Sequence, residues 1–229
     1  MKNLRIEALI IAAGMIAMGL LVKLSFDKYS NNNRVVTVKG VSEMEVNADH
    51  VTWPMQFAQT GNDLVMLYES VSATNKVVVK FLTDNGIKED EISIAVPHIY
   101  DNERNNYTRE IPEFRYVMTS NITVSSSEVD LVRQLVQKQC ELIGKGIAIQ
   151  TNWIDYRFTG LNDIKPPMIE EATKNARQAA EKFAQDSQSK LGKIKRANQG
   201  QFTITDRDNN TSYIKRVRVV TTIDYMLED

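Results

Sequence analysis

The sequence predicts an α+β protein: a largely antiparallel β-sheet with three packed helices, preceded by one N-terminal transmembrane helix. Three observations predict it. Stretches such as Val51-Thr52-Trp53 alternate apolar and polar side chains with the period of a half-buried strand. Stretches such as 64–82 space apolar residues at helical intervals, and residues 8–22 carry no polar side chain at all.

The apolar run comes first. Its fifteen residues make roughly 22 Å of helix, and extension through Lys23 to Phe26 brings this to about 28 Å, because Lys23 can lift its amine to the headgroups. The alternative, a buried helix of a soluble domain, suits this segment poorly because it is apolar on every side. It is either a membrane anchor or the core of a secretory signal. The anchor is preferred, because cutting after the small-x-small run Ala17-Met18-Gly19 would leave Leu20-Leu21-Val22 exposed at the new terminus. Lys2 and Arg5 before the run are matched by Lys23, Lys28 and Arg34 after it, so positive charge does not orient the segment. A short tail ahead of a long folded region favours placing that region outside the cytoplasm, at the inner membrane and facing the periplasm. The organisation is then an anchor at 1–28, a polar linker at 29–33 and a domain at 34–229.

Within the domain, Val36 and Val38 open a strand, Gly40-Val41-Ser42 interrupts it, and a second strand runs over 45–57. Pro54 lacks an amide hydrogen and places that strand at an edge, or a bulge near Trp53. Gly61-Asn62-Asp63 starts a helix with Leu64, Leu67, Val71, Val78 and Leu82 on one face, closed at Asn85-Gly86. Ile92, Ile94 and Val96 form a strand, 101–112 a polar loop, and Tyr116, Met118, Ile122 and Val124 its antiparallel partner. Ser127-Glu128-Val129-Asp130 reads as a capping box opening a second helix with Val132, Leu135, Val136 and Ile143 inward, stopped at Gly144-Lys145-Gly146. A strand returns over 147–158. Pro166-Pro167 introduces the longest helix, from Met168 to about Leu191, with a stripe of Ala172, Ala176, Ala179, Ala180 and Ala184 that lets its backbone come close to the sheet. Gly192-Lys193-Ile194 leads to a strand near 202–205, and Val217, Val219, Thr221, Ile223 and Tyr225 share one face of the last.

Composition excludes several functions. Lys plus Arg number 28 and Asp plus Glu 29, a formal charge of -1, without the basic excess of a nucleic-acid binder. Losing residues 1–26 removes Lys2, Arg5 and Lys23 against Glu7 and leaves -3, which gives the domain no attraction to anionic lipid. One Cys and two His do not build a structural zinc site. There is no G-x-S-x-G, P-loop or H-E-x-x-H. Neither a catalytic, a cofactor-binding nor a metal-binding residue is therefore assigned, and the expectation is a protein that is not an enzyme.

Isolated candidates read structurally. His98 continues the parity of Ile92, Ile94 and Val96 and caps a core face; His50 lies on a polar face. Cys140 has no basic neighbour to lower its pKa and is expected to pack. Asp206-Arg207-Asp208-Asn209-Asn210-Thr211 starts like an EF-hand loop but has Thr211 at the glycine position and Val217 at the final glutamate, so it is a polar turn. Lys190, Lys193, Lys195, Arg196, Lys215, Arg216 and Arg218 form a solvated sheet face without interleaved aromatics, and Glu89-Asp90-Glu91 a solvated linker. Two rival readings need scattered groups to meet: an enzyme or small-ligand binder built on Asp49, Asp155 and Asp163, or an envelope-polymer binder with Trp53, Trp153, Tyr156 or Tyr213 in an exposed cleft.

Three stretches resemble one family. Val38-Lys39-Gly40-Val41-Ser42-Glu43-Met44-Glu45-Val46-Asn47-Ala48-Asp49 is similar to the V-x-G-x-G/A-E-x-x-V-x-P-D opening of SIMPL-domain proteins. Tyr116-Val117-Met118-Thr119-Ser120-Asn121-Ile122-Thr123-Val124 resembles their Y-x-x-S-N-x-x-x-V strand, and the segment from Ala184 through Leu191-Gly192-Lys193-Ile194 their A-x-x-A…L-G-x-I/V helix end. The resemblance spans about 35–225 and departs from the pattern at Ser42 and Ala48. It implies a bacterial envelope protein without an assigned biochemical role. Some members are associated with oxidative-stress defence, and at least one periplasmic member assembles into ring-like oligomers. The expected partners are therefore further copies of the chain and the membrane, and no nucleic acid.

Overall fold

The computed structural model describes residues 11–23, 34–104, 112–150 and 153–228. The fold is α+β, with antiparallel pairing in two sheets rather than one. Helix α1 covers residues 11–23. Strands β1 (Val35–Asn47) and β2 (His50–Gly61) lead to α2 (Leu64–Asp84), then β3 (Ile92–Ile94), β4 (His98–Asp101) and β5 (Tyr116–Ser126). Helices α3 (Val129–Lys138) and α4 (Cys140–Ile143), strand β6 (Asp155–Arg157) and helix α5 (Leu161–Asp186) follow. The chain closes with β7 (Lys190–Gln199), β8 (Thr203–Asp206) and β9 (Ile214–Glu228). The chain divides into two compact units, 1–44 with 162–204 and 217–229, and 45–161 with 205–216.

The first unit is built around the sheet order β1-β9-β7, with β8 also on β9. Leu227 N donates to the Arg34 carbonyl at 2.9 Å, Thr37 Oγ1 to Asp224 Oδ1 at 2.7 Å, and Arg218 Nε lies 3.3 Å from Glu43. These contacts keep one antiparallel register. Val36 and Val38 of β1 pack with Ile223 and Tyr225 of β9 and with Ala176 and Ala180 of α5. The alanine stripe is buried at Ala172, Ala176, Ala180 and Ala184, and Ala179 is exposed.

Gly40 explains why the stripe is small. A Cβ there would sit 1.8 Å from the Ala172 carbonyl oxygen and 2.8 Å from the Ala176 Cβ. The glycine expected to interrupt β1 instead continues it, and its missing side chain is the space α5 occupies. The reversal comes later, at Ala48-Asp49.

The end of α5 also differs from expectation. The helix begins at Leu161, so Pro166 and Pro167 lie inside it, and it stops at Asp186. Gln188, with φ 55°, makes the left-handed turn that closes the helix, ahead of Gly192, and Ser189 N donates to the Ala184 carbonyl at 2.8 Å. Gly192 belongs to β7, where a Cβ would meet Glu228 Oε1 at 2.8 Å. That strand was unforeseen because it is exposed nearly throughout and rich in Lys and Arg, with no alternation to announce it.

The second unit carries the larger core, with Trp53, Met55, Met118, Ile122, Val78, Leu82 and Leu135 inaccessible or nearly so. Its sheet order is β3-β5-β2-β6, with β4 also on β5. β2 pairs with β5 in unbroken register from Val51↔Ser126 to Gly61↔Tyr116, so no bulge forms at Trp53. On its other side, among the described residues, β2 meets β6 at His50 to Thr52 and Gln150 at Gln56. Gln56 N donates to the Gln150 carbonyl at 3.0 Å, and alternation turns the Pro54 nitrogen the same way, between the two contacts. The proline is thus placed at a local edge, as its chemistry requires.

Asp63 caps α2, accepting from Val65 N at 2.9 Å and Met66 N at 3.0 Å, and Gly86, φ 100°, closes the turn after it. The expected capping box at 127–130 does not form. Glu128 N donates instead to Ser126 Oγ, whose hydroxyl donates to Glu91 Oε1 at 2.7 Å. The second helix is divided at Gln139, Leu142 is the residue buried at its end, and Ile143 is exposed.

The expected strand through Ile92, Ile94 and Val96 ends at Ile94, and the register on β5 slips by one residue before His98 starts β4. Pro97 and that slip leave Val96 91% exposed. His98 is exposed rather than capping a core face. Among the described residues no helix is long and apolar enough to cross a membrane. The expected anchor at 1–28 falls partly outside them and the expected linker at 29–33 wholly so, and residues 11–23 are helical and exposed throughout.

Candidate interaction surfaces

Asp49 follows β1 and accepts four bonds from the loop leading into α5. Thr159 N donates to Oδ1 at 2.8 Å and Oδ2 at 2.9 Å, Thr159 Oγ1 to Oδ2 at 3.1 Å, and Gly160 N to Oδ2 at 3.0 Å. A carboxylate so occupied fastens a loop and has little acceptor capacity left for a substrate proton. Replacing Asp49 by Ala is expected to cost about 2 kcal/mol of stability, since it strands charge-assisted donors. Chemical denaturation checks this, and an unchanged midpoint would contradict the fastening role.

Asp155 pairs with Arg157 on β6, opposite Thr52, and Asp163 lies exposed in the first turn of α5. Among the described residues no group of three or more His, Cys, Asp or Glu could hold a metal ion.

The four aromatics do not form one cleft. Trp53 is buried in the core, whereas Trp153 is 70% exposed. Tyr156 and Tyr213 meet edge to face with centroids 6.2 Å apart, and the Arg133 guanidinium covers Tyr213 at 3.5 Å. Burial raises the Tyr156 hydroxyl above its ordinary pKa, against the opposing field of Arg133.

His50 Nε2 lies 3.0 Å from Ser125 Oγ on the outward face of the sheet. Cys140 is exposed, correcting the expectation that it packs. The acidic linker is not merely solvated. Burial raises the pKa of Glu91, but the Ser126 hydroxyl, the Lys88 N–H and nearby positive charge outweigh it and hold the carboxyl below its usual range.

Residues 206–211 form the expected polar turn. Asp208 accepts from Asn210 N and Thr211 N at 2.9 and 2.8 Å, and the Thr211 hydroxyl and Arg207 complete its partners, lowering its pKa to about 2. The basic residues separate by strand parity. Arg216 and Arg218 face outward against Glu45 and Glu43, and Lys215 is buried against Asp206.

Three clefts were not visible in the sequence. One of about 550 Å³ lies where β2 ends against the start of α2, lined by Gln59, Asn62, Asp63, Met66 and Ser70 among others. Gln59 Nε2 donates to Thr74 Oγ1 there, and its buried Oε1 has no partner among the described residues. A second of about 450 Å³ runs beside α2 at Asn75, Val79 and Ile94. The third, about 380 Å³, separates α5 from β7 at Arg177, Leu191 and Ile194. None of these three is lined by Asp49, Asp155 or Asp163. Beside the first cleft, Val65, Met66 and Tyr68 are exposed apolar residues at the start of α2.

The residues that carry the family resemblance have structural work in this fold. Gly40 admits α5, Asp49 holds the 159–160 loop, Ser120 donates to buried Asn75 at 2.8 Å, and Gly192 leaves room for Glu228. They define a fold-specifying signature on a two-unit α+β protein. The SIMPL family model, described as a protein of unknown function (DUF541), matches residues 36–219, and the chain belongs to that family. No curated protein matches the sequence.

Proposed function

We propose that this SIMPL-family chain is a single-pass, membrane-anchored envelope protein whose domain lies outside the cytoplasm and acts by self-association rather than by catalysis. One observation carries the reading. Every described residue of α1 is exposed, including Ile11, Met15, Ile16, Leu20, Leu21 and Val22, and a Cβ at Gly14 or Gly19 would meet no atom within 4 Å. A helix apolar on all sides and exposed at every described residue calls for an apolar surrounding, and the sequence before it is apolar from Ala8 onward. The non-catalytic half of the proposal is supported by the occupied carboxylate of Asp49 and by the ion pair that engages Asp155 with Arg157.

Self-association is supported by Val65, Met66 and Tyr68, three large apolar side chains exposed within one turn at the start of α2. Light scattering on the full chain in detergent is expected to give a mass of two or more chains after subtraction of the micelle. A single chain at tens of micromolar would contradict it. An association with envelope or oxidative-stress defence is part of the proposal through the family resemblance, and growth of a deletion strain under oxidant tests it.

A further inference from the structure

The sheet edges of this protein are protected unequally. β7 has Lys190, Lys193, Lys195 and Arg196 along it, and its register on β9 is broken twice. The β3–β4 edge is bent by Pro97 and a one-residue slip. β6 and β8 are three and four residues long. Charge, proline, irregularity and shortness are the usual protections of an edge against pairing with another chain. Among the described residues β1 ends its sheet, with thirteen residues, no proline, and one register on β9 from Arg34 to Glu43.

The free side of β1 can be specified. The Arg34 carbonyl accepts from Leu227 N, so alternation directs the backbone groups of residues 36, 38, 40 and 42 toward β9. Those of Thr37, Lys39, Val41 and Glu43 point away from it. Asn175 of α5 donates to the Val41 carbonyl at 2.9 Å, which places that oxygen on the free side and takes one of its two lone pairs. Lys39 is exposed and has no carboxylate partner among the described residues.

We propose that a second copy of this chain docks on β1, strand against strand and antiparallel, about a two-fold axis beside Val41. The proposal rests on the self-association above and gives it a second surface, the edge of β1, besides the exposed start of α2. The sequence around Val41 is self-complementary in this register. Val41 faces Val41 of the partner subunit, Lys39 faces Glu43 of the partner subunit, Gly40 faces Ser42 of the partner subunit, and Val38 faces Met44 of the partner subunit. Each Lys39 thereby gains a carboxylate, apolar side chains meet apolar ones, and no like charges are opposed. A two-fold axis at Lys39 or Glu43 would instead set two like charges face to face.

Cysteine cross-linking of the full chain in membranes tests this, in a Cys140→Ser background. Directly opposed residues bonding to each other lie about 5.5 Å apart at Cα, within disulfide reach. Val41→Cys is expected to give a covalent dimer on mild oxidation, and Lys39→Cys with Glu43→Cys in one chain likewise. Lys39→Cys alone is expected not to cross-link, because its twin stands four residues along the strand, about 13 Å away. Lys39→Glu is expected to weaken dimerisation on the order of tenfold, and Lys39→Arg to retain it. If the chain associates by light scattering but Val41→Cys gives no dimer and Lys39→Glu changes nothing, the β1 interface is wrong and self-association stands. If the unaltered chain is a monomer in every measurement, both fall.

Discussion

Replacing Gly40 by alanine is expected to destabilise the fold by about 3 kcal/mol or more, near the top of the range for overpacked sites. The added methyl would fall 1.8 Å from the Ala172 carbonyl oxygen and 2.5 Å from the Ala176 nitrogen. Both are helix backbone, so no side-chain rotation relieves the contact, and α5 must withdraw from Val36, Val38, Ile223 and Tyr225. Urea unfolding of the full chain in detergent, followed by circular dichroism, should show a lowered midpoint with little change of slope. Gly14→Ala provides the comparison, because nothing lies within 4 Å of that position. A loss below about 1 kcal/mol for Gly40→Ala would show that α5 does not depend on this approach.

Trp53→Ala is expected to cost about 3–5 kcal/mol, the usual range for emptying a fully buried aromatic site. Trp53 is inaccessible on β2, among Met55, Ile122, Val124 and the apolar face of α2. Trp153 is 70% exposed, and its replacement by Ala should fall within about 0.5 kcal/mol of the unaltered chain. The two can be followed separately by fluorescence. Without Trp153, the remaining emission should be blue-shifted and move red on unfolding. Red emission from the native protein would contradict the burial of Trp53.

Much of the fold was legible because its signals were local. β9 buries Val217, Val219, Thr221, Ile223 and Tyr225 as their alternation requires, and Asp63 and Gly86 mark the ends of α2. The misreadings came where a tertiary contact overrides a local signal. Gly40 looks like an interruption until α5 is placed above it, and Gly192 looks like a helix stop until Glu228 is placed beside it. Pro97 stands between stretches whose apolar alternation hides it, yet it bends the edge, and Val96 and His98 on either side are exposed. β7 carries little burial and so no period.

The interaction surfaces were harder to read, and for a physical reason. The resemblance to SIMPL proteins rests on residues that build the fold, so recognising them identifies an architecture and not a chemistry. The role of Asp49 depends on Thr159 and Gly160, more than a hundred positions away. The pairing of Lys39 with Glu43 of the partner subunit needs a second chain, and appears only when β1 is known to end its sheet.

The central claim is a chain held at a membrane by its first helix with its folded part outside. Alkaline extraction of membranes from cells making the full chain, combined with protease added from the outer side, tests it most directly. The chain should stay in the membrane pellet, and the protease should reach the region beyond residue 33. Recovery of the intact, full-length chain from the soluble cytosol would contradict the account.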